Sequence, residues 1–98
     1  MKVLLVCAGG MSTSILMKKL EKHATAQGIE FAIAATGMST YQEVCDDYDC
    51  ILLGPQISYQ KDRIAQGSGK PTAVIPPTDY GRANCVNIFK LIDSLLGA

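Results

Sequence analysis

The chain alternates between short apolar runs and stretches of helical periodicity, and few folds accommodate that alternation. Lys2 to Val6 is a short, nearly continuous apolar run, which suits a strand buried on both faces of a parallel sheet. Gly9-Gly10 stops it. Ser12, Thr13 or Ser14 then stands where a helix cap belongs, and Ile15, Leu16, Leu20 and Ala24 recur at helical spacing while Lys18, Lys19, Glu21 and Lys22 face away, up to Gly28. Ile29, Phe31, Ile33 and Ala35 alternate as a second strand should. Ser39 or Thr40 caps a short helical stretch through about Cys45, and Asp49 to Leu53 reads as a third strand. Gly54-Pro55 breaks the chain before a polar helix from about Ser58 to Gln66. Gly67 to Pro71 leads into a fourth strand, Thr72 to Ile75, which Pro76-Pro77 closes. A last helix from about Gly81 or Arg82 is expected to bury Val86, Phe89, Leu91, Ile92, Leu95 and Leu96.

Strands that alternate with helices pair in parallel through right-handed crossovers. The expected fold is therefore α/β, a three-layer, doubly wound, four-stranded parallel sheet with helices on both faces. In such sheets function gathers at the carboxyl ends of the strands. Three segments lie there: Cys7 to Ser14, Gly54 to Ser58 and Pro76 to Asn84.

With 98 residues, 48% of them apolar, residues 1–98 fit one domain with one core. Nine basic and nine acidic residues cancel without a Lys/Arg cluster, which argues against a nucleic-acid partner. The apolar run Val3 to Ala8 is too short for a signal peptide, and nothing downstream reaches spanning length, so the expectation is a cytoplasmic protein without direct membrane insertion. Cys7, Cys45, Cys50 and Cys85 read as reduced thiols in a chain apolar enough to fold without disulfides. They lack the paired Cys-x-x-Cys spacing of a zinc site, and neither metal nor cofactor is expected.

The first of the three segments carries the chemistry. Cys7 ends the first strand and is followed by Ala8, Gly9, Gly10, Met11, Ser12, Thr13 and Ser14, which then open a helix. Glycines let backbone N–H groups turn toward one point. A helix start adds unpaired N–H donors and roughly half a positive charge. That field holds an anion and favours a nucleophilic thiolate, so one loop is suited both to activate Cys7 and to bind the phosphoryl group it accepts. Taken alone, Cys7 reads as a small buried apolar residue beside an ordinary glycine turn; the hydroxyl-rich context turns the balance toward chemistry.

A cysteine-based phosphatase uses a similar cradle, Cys followed by five residues, Arg, then Ser or Thr. Ser14 fits the last position, but Thr13 occupies that of the arginine, so the guanidinium that would stabilise a transferring phosphoryl group is missing. A carrier fits this omission. The alternatives are a small cysteine-dependent phosphatase or oxyanion reductase, and a non-catalytic receiver-like module.

Cys7-Ala8-Gly9-Gly10-Met11-Ser12-Thr13-Ser14 resembles the active-site loop of phosphotransferase system IIB proteins of the lactose, cellobiose and diacetylchitobiose class. Leu52-Leu53-Gly54-Pro55-Gln56-Ile57 resembles that class's third-strand exit, and Tyr80-Gly81 falls where the class has a Tyr-Gly pair. The resemblance implies a phosphotransferase with a phosphocysteine intermediate on Cys7. Its donor would be the phosphohistidine of a IIA protein, and its acceptor a sugar such as cellobiose or lactose held in a IIC membrane permease. By the same resemblance Ala8 to Ser14 bind the phosphoryl group, Gln56 lines the loop edge and Tyr80 closes over it. A monomer is the default, since no self-association surface stands out in the sequence.

Other residues have plainer readings. Cys45, Cys50 and Cys85 suit small core positions. His23, the only histidine, reads as a solvated residue in the middle of the first helix, Asp79 as a turn residue, and Met11 and Met38 as residues near the functional end.

Overall fold

The computed structural model describes residues 1–7 and 12–97. Four strands, β1 (Lys2–Val6), β2 (Ala32–Thr36), β3 (Cys50–Leu53) and β4 (Thr72–Val74), form one parallel sheet in the order β2-β1-β3-β4. The helices are α1 (Ser12–Ala26), α2 (Tyr41–Val44), α3 (Lys61–Ser68), α4 (Pro77–Arg82) and α5 (Cys85–Leu96). Short 3-10 segments follow α2 (Cys45–Asp47) and β3 (Pro55–Gln60).

The central strands are apolar throughout because both faces are covered. Val3, Leu5, Cys50, Leu52 and Ala73 pack with Leu16, Leu20 and Ala24 of α1 and Ile88, Phe89 and Ile92 of α5. Leu4, Val6, Ile51 and Leu53 point the other way, onto Tyr41 of α2, Cys45, Ile57 and Ile64 of α3. This is the three-layer α/β arrangement that the alternation dictates. Among the described residues no helix is long and apolar enough to cross a membrane.

Helix ends depart from the sequence reading in instructive ways. Gly28, at φ +69°, terminates α1: its N–H donates to the Thr25 carbonyl at 3.2 Å, and Ile29 N–H reaches back to the Ala24 carbonyl at 2.8 Å. This paired closure draws Ile29 onto the core beside Ala24, so Ile29 belongs to the helix end and β2 begins only at Ala32. The polar helix after Gly54-Pro55 begins as a 3-10 turn with Pro55 at its start, becomes α3 at Lys61, and runs through Gly67 to Gly69. Gly67 sits inside α3 because a methyl group there would come within 2.7 Å of the Tyr41 hydroxyl.

The end of the chain holds two helices where the sequence suggested one. Pro77 occupies the first turn of α4, where its fixed φ and missing N–H cost nothing. Ala83, at φ +50°, ends α4 in the left-handed conformation, and the Asn84 side chain accepts from Asn87 N–H at 3.2 Å to start α5. That start sets the rotation of α5: Ile88, Phe89 and Ile92 are buried and Leu91, Leu95 and Leu96 half-buried, whereas Val86 is 52% exposed, contrary to expectation. His23 also differs. It lies in the last turn of α1, half-buried, with its ring stacked on Phe89 at 5.3 Å between centroids. Met38, half-buried, packs against the α2 side of the core.

Cys45 and Cys50 fall on opposite faces of the sheet, each as a small core residue. Burial pushes the Cys50 thiol up to about 11, and the neighbouring Asp49 carboxylate pushes the same way. Because the folded value lies above the unfolded one, the stability linked to the neutral thiol is complete below about pH 9. It is lost as pH rises toward about 11. Urea unfolding of wild type should therefore lose more stability than Cys50→Ala across that window. Parallel pH profiles for the two proteins would contradict it.

Candidate functional site

Cys7 follows the last residue of β1, in the middle of the sheet's carboxyl edge, and is 8% exposed. Its neighbours on both sides are fixed by backbone bonds. Toward β2, Cys7 N–H donates to the Thr36 carbonyl at 3.1 Å, and the Cys7 Sγ lies 3.9 Å from the same oxygen, the thiol donating. Toward β3, Gly54 N–H donates to the Val6 carbonyl at 3.1 Å. The strand order makes β1 and β3 adjacent although β2 intervenes in sequence, so the connections leave this point in opposite directions. Such a switch point opens a crevice at the strand ends.

Helix α1 begins at Ser12. Ser12, Thr13 and Ser14 thus form its first turn instead of preceding it, and the amides of that turn have no partners within the helix. Its first turn holds no acidic residue, whereas α2, α3 and α4 carry Glu43, Asp62 and Asp79 there. The first turn of α5 carries none either, so at the starts of α1 and α5 no first-turn carboxylate opposes an anion. Ser14 is exposed. Ala8, Gly9, Gly10 and Met11, together with the hydroxyls of Ser12 and Thr13, lie outside the described part of the structure.

Gln56 and Tyr80 meet at Gly54. A methyl group on Gly54 would come within 2.9 Å of Gln56 Oε1, so the glycine makes room for that side chain, and it would stand in ordinary contact, 3.7 Å, with Tyr80 Cε2. Tyr80 is delivered by α4, the helix that the sequence did not reveal. Asp79 is occupied in holding that helix: its carbonyl accepts from Asn84 N–H at 2.9 Å and its Oδ1 from Asn87 Nδ2 at 3.1 Å. Beside Tyr80 a groove of about 200 Å³ runs between α1 and α4, lined by Ile15, Leu16, Lys19, Gly81 and Ala83. Two larger hollows, of about 330 and 460 Å³, include Lys2 at the amino end of β1. Cys7 is not among the residues that line either of them.

Thr36 and Thr40 are the additions that sequence reasoning missed. Thr40 was legible as a cap for α2 and does occupy that position, but its hydroxyl makes no cap bond. It is hydrogen-bonded to the Thr36 hydroxyl instead. The remaining thiols are not arranged as nucleophiles: Cys50 is fully buried, and burial also raises the Cys85 thiol, with Lys19 opposing.

Comparison with known proteins follows the same direction. Residues 2–91 match the family described as the lactose/cellobiose-specific IIB subunit of the phosphotransferase system (PTS). The chain is 33% identical over 98 residues to the oligo-beta-mannoside-specific EIIB component of Bacillus subtilis, covering 97% of this chain and 95% of that one. It is 30% identical over 102 residues to the galactose-specific EIIB component of Lactococcus lactis subsp. cremoris, covering 96% and 94%. Among solved structures it is similar to the cellobiose-specific IIB component of Borrelia burgdorferi, with a TM-score of 0.81 and 35% identity, covering 99% of this chain and 92% of that one.

Proposed function

The chain belongs to the lactose/cellobiose-specific IIB family of the phosphotransferase system, and so is a phosphoryl-carrying sugar phosphotransferase component that works between IIA and IIC partners; from that premise we propose that Cys7 is the residue that carries the phosphoryl group. The observation that carries this reading is the placement of Cys7 at the β1/β3 switch point, at the end of the strand that leads into α1. In the first transfer Sγ attacks phosphorus as the N–P bond of the donor's phosphohistidine breaks. The thiol proton goes to the nitrogen that bond leaves behind. In the second, a sugar hydroxyl attacks phosphorus, the S–P bond breaks, and the sulfur regains a proton.

Amides from residues 8–14 hold the phosphoryl oxygens at the positive end of α1. Thr13 stands where a phosphatase has its arginine, so the cradle binds the dianion without organising attack by water. Gln56 and Tyr80 border the site from the β3 and β4 sides. Residues 1–98 act as one IIB domain, a monomer that meets its permease at the cytoplasmic face of the membrane. The acceptor is a β-linked disaccharide such as cellobiose or lactose. A phosphoryl group and a hydroxyl are all that this site has to recognise, so the permease selects the sugar.

The test is phosphorylation from phosphoenolpyruvate through the general phosphotransferase proteins and a IIA donor, followed by peptide mapping. A single phosphoryl group on the Cys7 peptide, with the acid and base lability of a thiophosphate, is the expected result. Label elsewhere, or none when a known IIB control is labelled, would sink the assignment. Adding membranes that contain the permease, with cellobiose, lactose, galactose or a β-mannoside, then identifies the sugar as the one that discharges the label.

A further inference from the structure

We propose that Thr36 and Thr40 act as a positioning latch for Cys7, their paired hydroxyls fixing the peptide whose carbonyl holds the thiol. The inference rests on the reading of Cys7 as the phosphoryl acceptor. One oxygen, that of Thr36, accepts both from Cys7 N–H at 3.1 Å and from the Cys7 thiol at 3.9 Å, so its direction decides where the sulfur sits. That carbonyl belongs to the peptide ahead of Gly37, at the point where β2 ends. A glycine after the carbonyl leaves the peptide with more freedom to swing, and among the described residues, its chain neighbours apart, no atom stands within 4 Å of where a Gly37 side chain would begin.

Besides the Cys7 N–H bond, what restrains the swing is the turn itself. Thr40 N–H and the Thr40 hydroxyl approach the Gly37 carbonyl at 3.3 and 3.4 Å, and the Thr40 and Thr36 hydroxyls are hydrogen-bonded to each other. Thr40 is the N-cap residue of α2, so the helix anchors one end of the latch and the sheet the other. The device acts on the thiol form alone. Once Sγ bonds to phosphorus its hydrogen is gone, and the Thr36 oxygen faces a dianion that it cannot bind. The phosphorylated side chain then turns from Thr36 toward the amides of α1.

The experiment compares wild type with Thr40→Val and Thr40→Ser in two assays. The first is site-resolved alkylation by iodoacetamide, read by peptide mass. Thr40→Val should alkylate Cys7 about fivefold faster, the population change that one net hydrogen bond corresponds to, and Thr40→Ser should restore the wild-type rate. Cys45 and Cys50, both buried, serve as internal references and should stay protected. The second assay is phosphoryl transfer from the IIA donor, which Thr40→Val should slow by a similar factor and Thr40→Ser should restore. Unchanged Cys7 alkylation in Thr40→Val overturns the latch. So does a rise shared with Cys45 and Cys50, which would mean general loosening. Absence of label on the wild-type protein would instead overturn Cys7 as acceptor, while the alkylation contrast still decides the latch.

Discussion

Replacing Cys7 by serine should stop phosphoryl transfer from donor to sugar, with a rate loss of more than about 1,000-fold and almost no change in stability. Oxygen is smaller than sulfur and its bond to carbon shorter, but a serine hydroxyl can donate to the Thr36 carbonyl that now accepts the thiol, and the Cys7 backbone bond does not depend on the side chain. What is lost is the nucleophile. A hydroxyl needs a neighbouring base to become one, and the acceptor facing this position is a backbone carbonyl that cannot take a proton. The measurement is sugar-phosphate formation in the coupled system, with unfolding followed by circular dichroism as the control. Transfer at the wild-type rate would move the acceptor elsewhere. His23 would be a poor substitute, since it sits in the last turn of α1, stacked on Phe89, far along the helix from its start at Ser12.

Much of this was legible because its signals are local. Lys2 to Val6 could be read as a buried strand because a parallel strand covered on both faces has no polar side to show, and it spans those residues in the structure. Gly28 and Gly69 mark helix ends by conformation, both at φ +69°. Where the chain breaks its own conventions, the reading failed. Helix α4 starts with proline and carries Gly81 inside it, so Pro-Pro-Thr-Asp-Tyr-Gly looks like a turn; it ends on an alanine at positive φ, where glycine would have announced the stop. Missing that end moved the start of α5, and with it the choice of Val86 over Ile88 as the buried residue.

The site divides in the same way. Cys7 and its glycines lie together in sequence, and they pointed to the chemistry. Thr36 reaches Cys7 only because β2 pairs with β1 in the register Val6 with Thr36, a relation between residues far apart in the chain that no local pattern encodes. Gln56 and Tyr80 were suggested by resemblance alone; the fold brings both beside Gly54 at the β3 exit, a proximity between segments far apart in the chain.

The same register predicts the largest stability losses, and they should come in pairs. Leu52 and Leu53 are consecutive, both fully buried, and face opposite sides of β3: Leu52 packs with α1 and α5, Leu53 with α2 and α3. Truncating either to alanine removes buried methyl groups and leaves a cavity that a paired central strand cannot collapse around, at a cost of about 3 kcal/mol. For a domain of this size that corresponds to a fall in Tm of about 12 °C or more. Val86→Ala, at a residue half exposed to solvent, should change stability by less than about 0.5 kcal/mol. Urea unfolding of the three variants separates the alternatives. A sheet covered on one side would show a large loss at one leucine and little at its neighbour, and α5 rotated to bury Val86 would show a large loss there. Two similar losses at adjacent residues require helices on both faces, which is also what holds the carboxyl edge of β1 and β3 rigid enough to present Cys7 at a fixed point.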